Sequence, residues 1–233
     1  MRGLFVTGTD TGVGKTVFSA ALLLRLREAA IRAAACKPVS AGCRRESGRL
    51  VNADAEMLAW AALAGRPVEM VNPIALEPAI APHIAARDAG IDLDVATLVA
   101  ACRRAGADAE FLLVEGAGGW RVPLEAGASL ADVAVELNLP VVLVVGMKLG
   151  CLNHALLSAE AIERDGVVLA GWVANALASE MERLEENVAT LADRLPCPLV
   201  AEIPVLSVAG ERQRARAAAR ELPPDLAQRL YGS

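Results

Sequence analysis

The chain has 233 residues, a formal net charge of −5 at pH 7, 55% hydrophobic residues and only 3% aromatic residues. The acidic balance argues against a general nucleic-acid-binding protein, because such a protein needs clustered Lys and Arg to neutralise phosphates. A core made mostly of Ala, Val, Leu and Ile is typical of buried parallel strands packed against helices. We therefore expect residues 1–233 to form a single α/β domain.

Membrane and secretory features are missing from the sequence pattern. The longest apolar run, residues 140–147, is far shorter than the roughly 20 residues that span a bilayer. The N-terminus enters the first apolar run without a signal-peptide pattern, and the five cysteines form an odd set without a C-x-x-C pair. We expect a cytoplasmic protein with reduced thiols and no membrane partner.

The first predicted strand, residues 4–7, leads directly into the sequence GTDTGVGKT at residues 8–16. A strand that enters a Gly-rich turn and then a helix points several backbone N–H groups at one place, where a phosphate binds. In such a loop Lys15 reaches the terminal phosphates and Thr16 holds magnesium. The common spacing requires glycine at position 9, where this chain has Thr9, so the loop is longer by one residue from Gly8.

The remaining elements alternate between strands and helices. Predicted strands cover residues 4–7, 33–39, 111–115, 141–145, 169–174 and 199–204, and predicted helices cover residues 16–29, 53–64, 94–104, 153–164 and 181–194. This alternation predicts a mostly parallel sheet flanked by helices, as in P-loop NTPases. Residues 68–93 contain three prolines and interrupt this alternation of strands and helices. They are predicted to be a long ordered loop that lines a site.

Polar residues at the ends of the predicted strands are candidates for the site, because ligands of open α/β sheets bind there. Glu115 ends a buried strand before a Gly-rich turn and is a candidate magnesium ligand. Lys37 is either a site cation directed at the phosphate loop or an exposed surface lysine. Asp54 is either a helix cap or a second magnesium carboxylate. His83 and His154 have no metal-ligand spacing and no catalytic partner.

Arginines 212, 214, 216 and 220 form a basic cluster near the C-terminus. A charge run of this kind is predicted to be a solvated helix face rather than a binding surface.

These motifs, in this order, resemble the dethiobiotin synthase family over most of the chain. The most specific signals are Glu-Gly-Ala-Gly-Gly-Trp at residues 115–120 and Lys-Leu-Gly-Cys-Leu-Asn-His at residues 148–154. They are supported by Lys-Pro-Val at residues 37–39 and Ala-Gly-Trp-Val-Ala-Asn at residues 170–175.

The resemblance implies an ATP- and Mg2+-dependent ligase. Its expected substrates are diaminopelargonic acid and CO2, and its expected products are dethiobiotin, ADP and phosphate, formed through a carbamate and a carbamic-phosphoric anhydride. It also implies a homodimer that binds substrate at the interface, without nucleic-acid partners.

The resemblance assigns roles to individual positions. Catalysis is expected from Lys37, Lys15 and Thr11, and metal binding from Thr16, Asp54 and Glu115. Nucleotide binding is expected from Gly12, Val13, Gly14, Lys15, Thr16, Val17, Asp54, Glu115, Gly116, Ala117, Gly118, Asn175, Ala176, Pro204, Val205, Leu206 and Glu211. Substrate binding is expected from Thr11, Lys37, Ala41, Gly150, Cys151 and Asn153, the last three contributed across the dimer.

Two positions depart from the family pattern. Gly12 stands where members often carry a carboxylate, and Ala41 stands where a substrate-contacting hydroxyl is common, with Ser40 beside it. Ala41 is therefore expected to contribute only through its backbone.

Other readings fit less well. Amide-forming synthetases of this fold carry a glutaminase domain, for which 233 residues leave no room. A switch-type P-loop ATPase that binds protein partners carries an extra loop lysine, where this chain has Asp10. A catalytically inactive binding module would predict ATP binding without product.

Overall fold

The computed structural model describes residues 2–63, 66–177, 181–226 and 229–230. The strands are β1 (Gly3–Gly8), β2 (Ala33–Cys36), β3 (Val39–Ser40), β4 (Arg44–Glu46), β5 (Arg49–Val51), β6 (Ile74–Ala75), β7 (Phe111–Glu115), β8 (Val141–Met147), β9 (Leu169–Ala176) and β10 (Leu199–Ile203). The helices are α1 (Lys15–Glu28), α2 (Ala53–Ala61), α3 (Val68–Val71), α4 (Pro82–Ala89), α5 (Val95–Ala105), α6 (Leu130–Leu137), α7 (Cys151–Arg164), α8 (Leu184–Arg194) and α9 (Glu211–Glu221).

The central sheet has six strands in the order β10-β9-β8-β1-β7-β2, and every neighbouring pair is parallel. This confirms the predicted α/β fold with a mostly parallel sheet flanked by helices. Strand β1 lies between β7 and β8 in the middle of the sheet. Strands β2 and β7 lie on one side of it and β8, β9 and β10 on the other, so the order of strands reverses at β1. A crevice opens at the carboxyl ends of the strands beside such a reversal, which places the phosphate loop at the expected ligand position.

Both faces of the sheet are buried. Successive residues of β1 enter opposite cores: Phe5 belongs to one cluster, and Leu4 and Val6 to the other. Helices α5, α6, α7 and α8 cover the face of Phe5, while α1, α2 and α9 cover the opposite face. Since each strand must be apolar on both sides, the composition rich in Ala, Val and Leu follows directly from the parallel sheet.

The predicted strand at residues 33–39 is divided in the structure. Strand β2 ends at Cys36, and β3 pairs in parallel with β6 in a separate two-stranded sheet. The division falls at Pro38, which has no N–H group to donate to a sheet ladder. Lys37 therefore lies just beyond the carboxyl end of β2, outside the central sheet.

The prediction of a continuous loop at residues 68–93 was wrong in part. This segment contains α3, β6 and α4. Helix α4 begins at Pro82, where the missing N–H is an advantage because the first helical amides have no intrahelical acceptor. Between β6 and α4 the segment is a loop, as expected.

Smaller differences concern the ends and number of helices. Helix α8 begins at Leu184 rather than at residue 181, after Arg183 in the left-handed region. Helix α7 begins at Cys151, two residues before the predicted start. Helix α2 ends at Ala61, and Ala64, the predicted end, lies outside the described residues. Helix α6 and the β4–β5 hairpin were not among the predicted elements, and α9 contains the arginine cluster that was predicted to be a helix face.

The five cysteines are free and buried. In the ranges that the structure describes, no helix has the length and apolar character needed to cross a membrane.

Candidate active site

The phosphate loop connects the end of β1 at Gly8 to the start of α1 at Lys15. Gly14, just before α1, has a φ of 92° in the left-handed region, and a Cβ there would overlap the amide group of Asn175. The Asn175 Nδ2 donates a hydrogen bond of 2.8 Å to the carbonyl of Val13. Strand β9 thus supports the loop from below, which explains why both Gly14 and Asn175 occur at these positions.

Lys15 is held inside the loop. Its side chain is buried, and its Nζ donates a 2.8 Å hydrogen bond to the carbonyl oxygen of Asp10. The Asp10 carboxylate accepts from the backbone N–H of Thr11 and lies 3.1 Å from the Nζ of Lys148, at the end of β8. Burial lowers the pKa of Lys15 to about 8, although the nearby Glu115 charge opposes that shift. An anion in the loop would stabilise the ammonium form.

Lys37 lies between two carboxylates. Its Nζ is 2.8 Å from the Oε1 of Glu115 and 3.1 Å from the Oδ2 of Asp54. Burial by itself would lower the pKa of Lys37, but the charges of Glu115 and Asp54 outweigh it and raise the pKa above its ordinary value. Lys37 is only 4% exposed, so the surface-lysine alternative is wrong. The two carboxylates therefore favour the charged form of Lys37 within the site.

Asp54 is not the cap of helix α2. The cap is Asn52, whose side-chain oxygen accepts a hydrogen bond from the N–H of Ala55 at 3.2 Å. Burial would raise the pKa of Asp54, but the charge of Lys37 outweighs it and the pKa is lowered. Asp54 therefore remains ionised and is available at the site.

Glu115 is fully buried at the end of β7 and has one unused oxygen. Its Oε1 accepts from the Thr16 hydroxyl at 2.9 Å and from Lys37, whereas its Oε2 has no hydrogen-bond partner in the described chain. A buried carboxylate oxygen without a partner is costly unless a ligand satisfies it. Thr16, Asp54 and Glu115 supply the hard oxygen atoms that Mg2+ prefers.

The described residues contain no cluster of three or more His, Cys, Asp or Glu side chains with metal-binding geometry. A magnesium ion at Thr16, Asp54 and Glu115 would thus need further oxygen ligands from phosphate or water, which is its usual arrangement with nucleotides.

A cavity of about 770 Å³ opens above these residues, a size that suits a nucleotide with a small second substrate. Most of the predicted loop and strand-end positions line it: Thr11, Gly12, Gly14, Lys15, Thr16, Val17, Lys37, Ala41, Asp54, Ala117, Gly118 and Glu211. The segment Ala79, Ile80, Ala81 and Pro82 lines it too, as expected for residues 68–93.

Other predicted positions do not line this cavity. Val13 in the loop, Glu115 in β7 and Asn175 in β9 are buried. Gly116, Ala176, Pro204, Val205 and Leu206 lie at or beyond the ends of β7, β9 and β10.

Gly150, Cys151 and Asn153 form the start of α7 and also lie outside the cavity of their own chain. Gly150 takes a left-handed conformation before the helix, and Leu149 beside it is 97% exposed.

Sequence reasoning missed several cavity residues, among them Asn52, Met57, Arg121 and Arg214, and it considered Ser40 only as the neighbour of Ala41. The Ser40 hydroxyl donates a 2.7 Å hydrogen bond to the Oδ1 of Asn72, so it is directed into the protein. It does not replace the hydroxyl that Ala41 lacks. Arg121 pairs with Asp165 at 2.7 Å, a contact between residues 44 positions apart that has no local sequence signal.

The chain is similar to known proteins over most of its length. A family model described as an AAA domain matches residues 2–213. The ATP-dependent dethiobiotin synthetase BioD of Pseudomonas paraeruginosa is 55% identical over 211 residues, covering 90% of this chain and 92% of that protein. The protein of the same name from Cellvibrio japonicus is 52% identical over 210 residues, covering 89% and 91%.

Solved structures with this architecture include MinD of Aquifex aeolicus in its MinC complex, with a TM-score of 0.60, 16% identity and coverage of 100% of this chain and 96% of that one. At this identity the similarity shows the fold alone. Because about half of its residues are identical to those of the curated relatives over nine tenths of its length, the chain belongs to the ATP-dependent dethiobiotin synthetase family and is an ATP-dependent ligase.

Proposed function

We propose that the protein catalyses the ATP- and Mg2+-dependent carboxylation and ring closure of diaminopelargonic acid with CO2. The products would be dethiobiotin, ADP and phosphate, formed through a carbamate and a carbamic-phosphoric anhydride. The observation that carries this proposal is the meeting of Lys15, Thr16, Lys37 and Asp54 in the wall of one cavity, directly above the buried carboxylate of Glu115. The chain would act as one domain in the cytoplasm, which keeps its free cysteines reduced.

The phosphate loop would bind the triphosphate through its backbone N–H groups and Lys15. In the structure the Lys15 ammonium donates a hydrogen bond to the Asp10 carbonyl. When a nucleotide binds, a hydrogen bond from Lys15 to a phosphate oxygen would replace it. The neighbouring residues Gly12, Val13, Gly14, Thr16 and Val17 present the start of α1 to the same anion.

Lys37 would stabilise negative charge on the carbamate and on the transferring phosphoryl group. Its two carboxylate partners hold it at a fixed place, and a fixed cation needs little reorganisation when charge develops. No histidine is among the cavity-lining residues, so the chemistry here relies on positioning and charge rather than on a titrating acid or base. Thr11, with its side chain at the cavity, would contact the carbamate.

Magnesium would be held by Thr16, Asp54 and Glu115 and would supply charge neutralisation at the phosphates. The unpartnered Oε2 of Glu115 is the structural feature that favours a cation there. Ala117, Gly118, Asn175, Ala176 and the segment Pro204, Val205 and Leu206, with Glu211, would complete the nucleotide site.

The substrate would bind between two copies of the chain. Lys37 and the backbone of Ala41 would contact it from one subunit, and Gly150, Cys151 and Asn153 from the other. This arrangement is supported by two observations: the start of α7 lies outside its own cavity, and Leu149 beside it is almost completely exposed. A helix start with free N–H groups stabilises a carboxylate.

The decisive experiment is an assay of ADP release with ATP, Mg2+ and bicarbonate, with and without diaminopelargonic acid, together with mass-spectrometric detection of dethiobiotin. We expect ADP release that depends on the diamine and matches dethiobiotin in amount. The Lys37→Ala variant serves as the control for contaminating activity. ATP turnover that is indifferent to the diamine, with no dethiobiotin, would contradict the proposal and favour a switch-type ATPase.

A further inference from the structure

Arg214 differs from the other cations of the cavity wall. Lys37 is paired with Glu115 and Asp54, Arg121 is paired with Asp165, and Lys15 donates to the loop itself. Arg214 donates only through its Nε, to the carbonyl of Val208 at 3.4 Å, and makes no ion pair with any described residue. Its terminal guanidinium nitrogens are therefore free to bind an anion that enters the cavity.

Helix α9 presents Arg214 to the cavity from a defined position. The small side chains of Ala215, Ala218 and Ala219 are buried against the core that α1 also enters. On another side of the helix, Arg212 and Arg216 lie 5.3 Å and 5.4 Å from the ring centre of Trp60 on α2. Contacts on two sides fix the rotation of α9, so that Arg214 and Glu211 both line the cavity.

Arg214 shares its cavity with the residues of the phosphate loop. Lys15 and Thr16 in such loops serve the terminal phosphates. Val17 follows them on α1 and lines the same cavity as Arg214. An arginine suits this place, because its planar fork binds phosphate oxygens with two hydrogen bonds.

We propose that Arg214 binds a phosphate group of the bound nucleotide and thereby sets nucleotide affinity. This inference rests on the proposed function in naming ATP as the ligand, and it adds a nucleotide-binding residue to that site. It changes the interpretation of the C-terminal arginine cluster, whose four members are all exposed. Arg212 and Arg216 hold the helix, Arg220 is not among the cavity-lining residues, and Arg214 contacts the ligand.

The test measures nucleotide binding directly on the full chain, by fluorescence titration with a methylanthraniloyl derivative of ATP and competition by ATP and ADP. We expect Arg214→Ala to weaken both nucleotides about ten-fold, as for loss of a hydrogen bond to a charged group, and Arg214→Lys to weaken them less. Arg220→Ala, on the same helix, is the matched control and should bind as the unmodified protein does.

The salt dependence separates a charge contact from a packing contact. We expect the loss in Arg214→Ala to shrink as salt is raised from about 0.05 M to about 0.5 M, because screening weakens the interaction in the unmodified protein. Unchanged affinity in Arg214→Ala, or a loss that is the same at both salt concentrations, would overturn the proposal.

The result is independent of the proposed reaction. Weakened nucleotide binding in Arg214→Ala without dethiobiotin formation by the unmodified protein would support Arg214 and reject the reaction. Dethiobiotin formation with unaltered nucleotide binding in Arg214→Ala would do the reverse.

Discussion

Lys37 and Glu115 form a buried ion pair, with 2.8 Å between Nζ and Oε1 and with side chains that are 5% and 0% exposed. The two residues lie 78 positions apart, at the carboxyl ends of the neighbouring strands β2 and β7. The pair therefore depends on the sheet, which holds the Lys37 cation in the wall of the cavity. Removing Lys37 leaves Glu115 as a buried charge without a cation, whereas removing Glu115 leaves Lys37 paired with Asp54 alone.

Replacing Lys37 by Ala should reduce turnover far more than nucleotide affinity. The ammonium is proposed to act on charge that builds during phosphoryl transfer, so we expect turnover to fall about 100-fold or more while the Kd for ATP changes by less than about three-fold. Steady-state kinetics and direct nucleotide titration measure the two quantities. Equal losses in both would show that Lys37 contributes to ATP binding rather than to the transition state.

The same change should also destabilise the fold, and a second substitution separates the two effects. Lys37→Ala leaves the buried Glu115 carboxylate without its cation, which costs about 3–5 kcal/mol in comparable pairs. The double variant Lys37→Ala/Glu115→Gln should recover most of that free energy of unfolding in urea denaturation. It should not recover turnover. Recovery of turnover by the double variant would mean that Lys37 acts only on stability.

Nucleotide binding should take up protons above pH 8. The pKa of Lys15 is lowered to about 8 in the free protein by burial, and a bound phosphate would raise it. Above pH 8 much of the free Lys15 is neutral, so we expect uptake of a fraction of a proton per nucleotide and an affinity that falls as pH rises. Calorimetry in buffers with different ionisation enthalpies measures this uptake. Lys15→Gln should abolish it, and equal uptake in that variant would assign the proton to another group.

Gly14→Ala should damage the loop, whereas Gly12→Ala should not. Both glycines have positive φ, but a Cβ on Gly14 would overlap the Asn175 amide, and a Cβ on Gly12 would meet nothing within 4 Å. We expect Gly14→Ala to lose nucleotide binding at least ten-fold, by displacing Asn175 and the Val13 carbonyl it holds. Gly12→Ala should cost only the backbone strain of about 1 kcal/mol. Fluorescence titration of both variants checks this contrast, and similar affinities would refute the role of Asn175 as a support.

Trp60→Leu should loosen helix α9. The guanidinium groups of Arg212 and Arg216 pack against the indole ring. Each cation–π contact of this kind contributes about 0.5–1 kcal/mol at an exposed site. We expect faster amide hydrogen exchange in α9 and a modest fall in thermal stability, with the sheet unaffected. Hydrogen-exchange mass spectrometry resolves the two regions, and unchanged exchange in α9 would show that its packing on α1 is sufficient.

Local sequence features predicted the strongest elements of the fold. The apolar runs at β7 and β8 are buried on both faces, so they appear as continuous hydrophobic stretches that are easily recognised. The division of residues 33–39 at Pro38 and the elements within residues 68–93 were harder, because pairing between β3 and β6 depends on contacts 35 positions apart. For α9 the arginine cluster indicated a helix face, but its packing was not predicted, because its apolar face consists of alanines whose burial depends on the close approach of α1.

The sequence by itself determined the phosphate loop, the positions of the strand-end polar residues and the family resemblance, because each of these depends on short runs of residues that are adjacent in the chain. Only the tertiary structure decided between the alternatives for Lys37 and Asp54, since burial and ion pairing arise when β2, α2 and β7 meet. Only the tertiary structure distinguished Arg214 as well, because in the sequence it is one of four closely spaced arginines. The packing of α9 on α1 and Trp60 is what places this arginine, and not the others, at the cavity.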